Sequence, residues 1–278
     1  MPDDSLRPRP ASGYALIEIE AACRNHGWRV EVPNAGPWLA RTSARAPGTL
    51  RLAALDGDRF AVRAPTDGVA AGLRADGVEF VNVSGVPAAV AHGSGELMGL
   101  VSRCYRLAVS LPDAPLDEFR RRLGRDRESA EINKVADGLG STEVERTVRQ
   151  RVGQEVFRSA LLEHWDNTCP LTRISDERLL RASHVVPWAR CGSDGQRLSV
   201  FNGLLLSALW DAAFDRGLVS FDGTGRALAS DECSREVRDA LKVKDARLPR
   251  VACELAANLE WHREHVFESV VAEQDRRP

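Results

Sequence analysis

Three short stretches bring together residue types that could carry out hydrolysis. "RASHVVPW" places His184 at the end of a strand-like run, "VFNGLLLS" supplies Asn202, and "ALWDAAFDRG" carries Asp211 and Asp215. A neutral imidazole can accept a proton from water near pH 7, because its unperturbed pKa is about 6.5. Two carboxylates at i and i+4 project from one face of a helix. There they can hold one hard divalent cation against a phosphate oxygen. An asparagine in a loop can bridge to the histidine's backbone or ring and fix its orientation. This is the set needed to hydrolyse a phosphodiester. Ser183, just before the histidine, is a weaker oxygen ligand. Each residue also has a plainer role: His184 satisfied at a strand end, Asn202 shaping an Asn-Gly turn, Asp215 pairing with Arg216.

Elements to position these groups can be read on either side. The run "RLLRASHVV" predicts a strand stopped by Pro187-Trp188, followed by a loop, "ARCGSDGQRLSV". Asn202-Gly203 predicts a turn, Leu204–Leu206 a short strand, and Ser207 the N-cap of a helix running to about Asp215, closed by Gly217. Trp210 and Phe214 share the helix face that points into a core, and Asp222-Gly223 predicts a hairpin. Upstream, Thr142 and Glu145 form a capping box for a helix with Val144, Val148, Val152, Val156, Phe157 and Leu161 as its apolar stripe. Arg146, Arg149, Arg151 and Arg158 lie largely off that stripe, as a solvated basic face or as donors to a phosphate backbone.

The linked motifs "SHVVPW", "RLSVFNGLLLS" and "LWDAAFDRGLVSF" resemble the HNH endonucleases, in particular a prokaryotic branch with Ser-His-Ile-x-Pro-Trp and Asn-Gly-Leu-Leu-Leu motifs. The likeness extends from "RVGQEVFRSALLEHWDNTCPLTR" to "LEWHREHVF", about residues 142–268. It implies a ββα-metal (His-Me finger) domain with flanking helices, in an α+β protein. It further implies a metal-dependent DNA endonuclease, with a role in restriction or defence. Position by position, His184 takes the first histidine, Asn202 the asparagine, and Asp211 the last place, where many members have histidine. The resemblance thus implies His184 and Asn202 as catalytic residues, and Asp211, Ser183 and Asp215 around one divalent ion. Mg²⁺ is foremost, with Mn²⁺, Ni²⁺ or Zn²⁺ as alternatives. Arg149, Arg158, Arg181 and Arg216 are the candidate DNA contacts. Two positions depart from the pattern: Ser183 replaces an acidic ligand, and Arg173 stands where the family has glycine, which predicts an altered loop. A DNA-binding module without turnover is the competing reading.

The first half of the chain offers less chemistry. "SGYALIEIEAACRNHG" predicts a helix ended by Gly27, "TLRLAALDGDRFAVRA" a hairpin at Asp56-Gly57, and "VEFVNVS" a strand. "SGELMGLVSRCYRLAVSL" fits either a helix or a strand pair, and "PLDEFRRRL" a short amphipathic helix. An α+β domain over 1–125, a linker over 126–141 and the nuclease domain over 142–278 follow from these patterns. His92 is expected in a loop.

The 278 residues carry a net charge of −2, which gives no global attraction to polyanions and leaves any DNA contact to a local patch. Six cysteines without a CxxC pair argue for free thiols over a zinc knuckle, in a reducing compartment. No run is long and apolar enough to span a bilayer, and "MPDDSLRPRP" lacks a signal-peptide core, so a cytoplasmic protein without membrane contact is expected.

Overall fold

The computed structural model describes residues 6–111, 113–137 and 141–267, with 126–137 and 141–145 described by backbone only. The chain divides into two compact units, Met1–Ala114 and Pro115–Pro278.

In the first unit, helix α1 (Gly13–Asn25) precedes four strands, β1 (Val30–Ala35), β2 (Trp38–Thr42), β3 (Leu50–Ala54) and β4 (Arg59–Arg63). After these come α2 (Asp67–Ala75), β5 (Phe80–Val83), β6 (Val86–His92) and α3 (Gly93–Ser110). The strands form one antiparallel sheet in the order β1-β2-β3-β4-β6-β5. The strand period of two sorts its faces. Leu50, Leu52, Phe60 and Val62 pack with Ile19, Leu73, Leu97 and Val101 of the helices, while Ala53, Leu55 and Ala61 join a smaller cluster on the other face. The β3–β4 turn falls at Asp56-Gly57 as expected, with Gly57 at φ +72°. The ambiguous stretch 93–110 is a single helix, its buried residues recurring at helical spacing from Leu97 to Leu107. His92 ends a strand instead of lying in a loop.

The second unit begins with α4 (Asp113–Asp137) and α5 (Ser141–His164). This corrects two boundaries. The helix expected in the first domain sends Phe119 into the second unit's core, and the stretch expected as a linker continues α4 as far as Asp137. Its Arg, Glu, Ala and Lys are good helix formers without proline, so polarity alone does not break the helix. The capping box at Thr142 and Glu145 lies outside the residues whose side chains are described. Further along the stripe, Val152, Val156, Phe157 and Leu161 are core residues as expected.

The central motif is β7 (Leu180–His184) paired antiparallel with β8 (Gly203–Ser207), with α6 (Asp194–Leu198) in the connection and α7 (Ala208–Asp215) directly after β8. Gly217 closes α7 at φ +69°, and its N–H bonds Phe214 O at 2.9 Å. A second hairpin, β9 (Val219–Phe221) with β10 (Ala227–Ala229), turns around Asp222-Gly223 as expected, through a five-residue connection. The Asp222 carboxylate accepts from Thr224 N at 2.8 Å and Arg226 N at 3.0 Å, which holds the longer loop. Helices α8 (Arg235–Leu241) and α9 (Cys253–His262) complete the unit. Among the described residues no helix is long and apolar enough to cross a membrane.

Candidate active site

His184 closes β7 opposite Gly203, the first residue of β8. Its ring stacks on Phe157 of α5, with centroids 3.8 Å apart, and meets the edge of Trp188 at 5.7 Å. Two glycines allow α5 to come this close. A Cβ on Gly203 would fall 2.3 Å from the Phe157 ring, and one on Gly153 would fall 2.2 Å from the Trp188 ring. Asn202 ends a tight turn, its N–H on Ser199 O at 2.9 Å, but Gly203 is extended, so the turn expected at the Asn-Gly pair closes one residue earlier. The glycine is there for contact, not for a left-handed φ.

His184 Nε2 lies 2.9 Å from the carbonyl of Arg197. A carbonyl can only accept, so Nε2 carries the proton. In the neutral ring Nδ1 is then a bare lone pair, and it makes no hydrogen bond within the described structure. Burial lowers the pKa of His184 below its ordinary value, against upward pulls from the Arg197 carbonyl and from Asp215. The imidazole is therefore neutral at pH 7.

The carboxylates lie on the other side of the strand end. Ser183, buried, donates its hydroxyl proton to Asp215 at 3.2 Å. Asp211 is half-buried, and its carboxyl is pushed up first by burial and then by the neighbouring Asp215 charge. Asp215 keeps access to solvent, yet displacement of water by surrounding atoms raises its carboxyl too, against the pull of Ser183, Arg216 and His184. The sequence pairs Asp211 with His184. The structure puts Asp215 in electrostatic reach of the imidazole, and Asp211 connects through Asp215 and Ser183. Among the described residues no group of three or more His, Cys, Asp or Glu side chains gathers as a closed metal cage. The Asp211–Asp215 pair offers hard carboxylate oxygens suited to a cation that keeps several waters. It does not suit a soft metal. The cysteines are all unpaired, five buried and Cys253 exposed.

Asn202 has its side chain engaged by the protein itself. It is fully buried: its Oδ1 accepts from Val186 N at 2.8 Å and its Nδ2 donates to Val186 O at 3.1 Å and to Cys191 Sγ at 3.3 Å. The backbone of Asn202 accepts from Val185 N at 3.0 Å. The residue staples the chain leaving β7 to the start of β8, and so acts on His184 through the backbone. Two of the four arginines are committed elsewhere. Arg158 donates to Leu180 O at 2.9 Å and Glu177 O at 2.8 Å, bracing α5 to the entry of β7. Arg149 pairs with Asp194 and lies over the Phe119 ring. Arg181 and Arg216 are exposed beside the carboxylates and pull on them, Arg181 on Asp211 and Arg216 on Asp215, while Arg181 Nη1 also donates to Arg178 O and Leu180 O at 3.0 Å and Arg216 Nη1 to Ala212 O at 3.2 Å. Arg173, in the family's glycine position, takes a left-handed φ of +61° and keeps a closed turn, its N–H on Cys169 O at 3.0 Å.

Residues 169–222 match the family model of the HNH endonucleases. No curated protein matches the chain. The HNH match begins at Cys169, spans β7, β8, α7 and β9, and takes in His184, Asn202, Asp211 and Asp215. The flanking stretches of resemblance, 142–168 and 223–268, lie outside it. So does α5, which supplies the Phe157 wall behind the histidine. Sequence reasoning missed that wall, the Trp188 edge and the Arg197 carbonyl. One signal was available: Gly153 sits inside a strong helical stripe at a cost of about 1 kcal/mol relative to alanine, which calls for a packing reason.

Proposed function

We propose that the second unit is a metal-dependent DNA endonuclease with a ββα-metal centre built from β7, β8 and α7. The observation that carries this reading is the 2.9 Å contact of His184 Nε2 with the Arg197 carbonyl, inside the stretch that matches the HNH endonucleases. With Nε2–H engaged by Arg197 O, the atom left over is a basic nitrogen on a ring that burial keeps neutral. That nitrogen takes a proton from a water molecule as the water attacks phosphorus in line with the departing oxygen. Ser183 turns the Asp215 carboxylate by hydrogen bonding, and Asp211 with Asp215 would hold a divalent ion, Mg²⁺ before Mn²⁺, Ni²⁺ or Zn²⁺. The chemistry such an ion supplies when bound is positive charge against the oxygens of the scissile phosphate. Arg181 and Arg216 draw the polyanionic backbone to the same face. A place in restriction or defence accords with this activity.

A second reading, a DNA-binding HNH module without turnover, draws on the sparse ligand set among the described residues. A plasmid-nicking assay with each ion separates the two. The nuclease reading expects cleavage by the wild type and a rate loss of about 10²–10⁴-fold in His184→Ala. Cleavage that survives the substitution, or none with any ion, would overturn it.

A further inference from the structure

The carbonyl that fixes His184 belongs to a residue whose side chain is turned back on its own loop. Arg197 Nε donates to Trp188 O at 3.2 Å, and Nη2 donates to Cys191 O at 2.5 Å. Nη1 reaches Asp194 Oδ1 at 3.3 Å, and the guanidinium lies over the Trp188 ring, 5.7 Å from its centroid. Asp194 in turn pairs with Arg149 of α5. One side chain thus closes the 188–197 segment on itself at three points, while its own backbone oxygen holds the imidazole. Only 23% of the side chain is exposed, so it is directed at protein and not at a ligand. The guanidinium's planar fork of five donors suits this, and lysine could not reproduce it.

We infer that Arg197 is a positioning residue, whose guanidinium holds the 188–197 loop so that its carbonyl keeps His184 in the Nε2–H tautomer with Nδ1 free. The inference rests on the nuclease reading for its kinetic consequence only, since the tautomer is a property of the protein alone. Without the guanidinium, the three carbonyl and carboxylate contacts lose their donor and the loop can drift. A change of even 1 Å at the Arg197 oxygen would weaken its hold on Nε2. Asn202 anchors the same loop at its Val186 and Cys191 end, so the fold survives while the far end loosens.

The test is ¹⁵N–¹H spectroscopy of the histidine rings in the full chain, alongside single-turnover plasmid cleavage. The wild type is expected to show His184 as a single Nε2–H tautomer. In Arg197→Met both tautomers appear, and kcat falls by about 10–100-fold with KM for DNA nearly unchanged, as for other groups that orient a reacting side chain. Arg197→Lys does not restore the wild-type pattern. Asp194→Asn, which leaves both carbonyl contacts in place and is the milder change for folding, shows a smaller shift in the same direction. A single Nε2–H tautomer retained in Arg197→Met and Asp194→Asn would overturn the inference. If the wild type cleaves nothing while the tautomer still scrambles in Arg197→Met, the positioning role stands and the nuclease reading falls.

Discussion

Two imidazoles of the second unit, His184 at the end of β7 and His262 in α9, are each stacked face-on against a phenylalanine. Each also gives its Nε2 proton to a backbone carbonyl. The stacking distances are 3.8 Å to Phe157 and 3.9 Å to Phe214, and the accepting carbonyls are those of Arg197 and Phe214. They part at the other ring nitrogen. Nδ1 of His262 accepts a hydrogen bond from Ser220 at 3.0 Å, and the whole side chain is buried, which drives its pKa down to about 4. Nδ1 of His184 has no such donor, the ring reaches solvent, and the Asp215 charge partly offsets burial. The same mounting yields a ring with both nitrogens engaged in one place and, among the described residues, a ring with one nitrogen left over in the other.

The sharpest way to break this comparison is to remove each ring in turn. His184→Ala is expected to lose cleavage by the factor given above and to keep a near-wild-type melting temperature. His262→Ala is expected to cost about 3 kcal/mol of stability, by emptying a packed site and stranding the Ser220 hydroxyl. Cleavage at low temperature should survive it. Equal effects of the two substitutions on melting would erase the distinction. Next in size is the loss of cleavage on removing a carboxylate. Asp211→Asn should lower cleavage at least about 100-fold. Because burial and Asp215 both oppose its charge, the variant should also melt higher than wild type in chelator and lose the rise in melting temperature that Mg²⁺ or Mn²⁺ gives the wild type. A variant that melts lower in chelator and still responds to the ion would contradict the acidic pair as its seat.

A third test uses pH. His262 is neutral in the fold down to about 4, against 6.5 for an ordinary histidine. Above 6.5 neither state takes the proton and the stabilisation is complete. As pH falls toward 4 the unfolded chain is protonated first, and about 3 kcal/mol is lost. Denaturant midpoints measured across this window should fall in the wild type. In His262→Gln that component of the slope should be missing, and an unchanged slope would place the titration elsewhere. The smallest expected effect is that of Ser220→Ala, about 1 kcal/mol from one lost hydrogen bond. By stripping the donor from Nδ1 it makes His262 resemble His184, and an NMR titration should show whether the ring's pKa moves.

The sequence made the residue types of the site legible, along with their elements. The end of β7 at His184, the span of α7 and the stripe of α5 all follow from short-range rules: alternation, helical spacing, and a glycine that closes a helix. What stayed hidden depends on contacts between distant segments. Asn202 looks catalytic in the string because its partners, Val186 and Cys191, are reached only when the loop folds back. Arg158 looks like a phosphate donor because nothing local reveals that Leu180 O and Glu177 O take up its guanidinium. The Arg197 carbonyl is beyond residue-type reasoning altogether, since every residue has one. The stretch 126–137 is helical because a polar composition without proline does not by itself break a helix.

The Phe157 wall has a practical corollary. The histidine's backing comes from α5, whereas the HNH match starts at Cys169, after that helix ends. A gene fragment trimmed to the motif would deliver the His184 ring without the aromatic plate that shields one of its faces, leaving that face open to water. Anyone grafting the HNH-like core onto another carrier should cut ahead of α5, because the boundary of the recognisable pattern is not the boundary of the packed unit around His184.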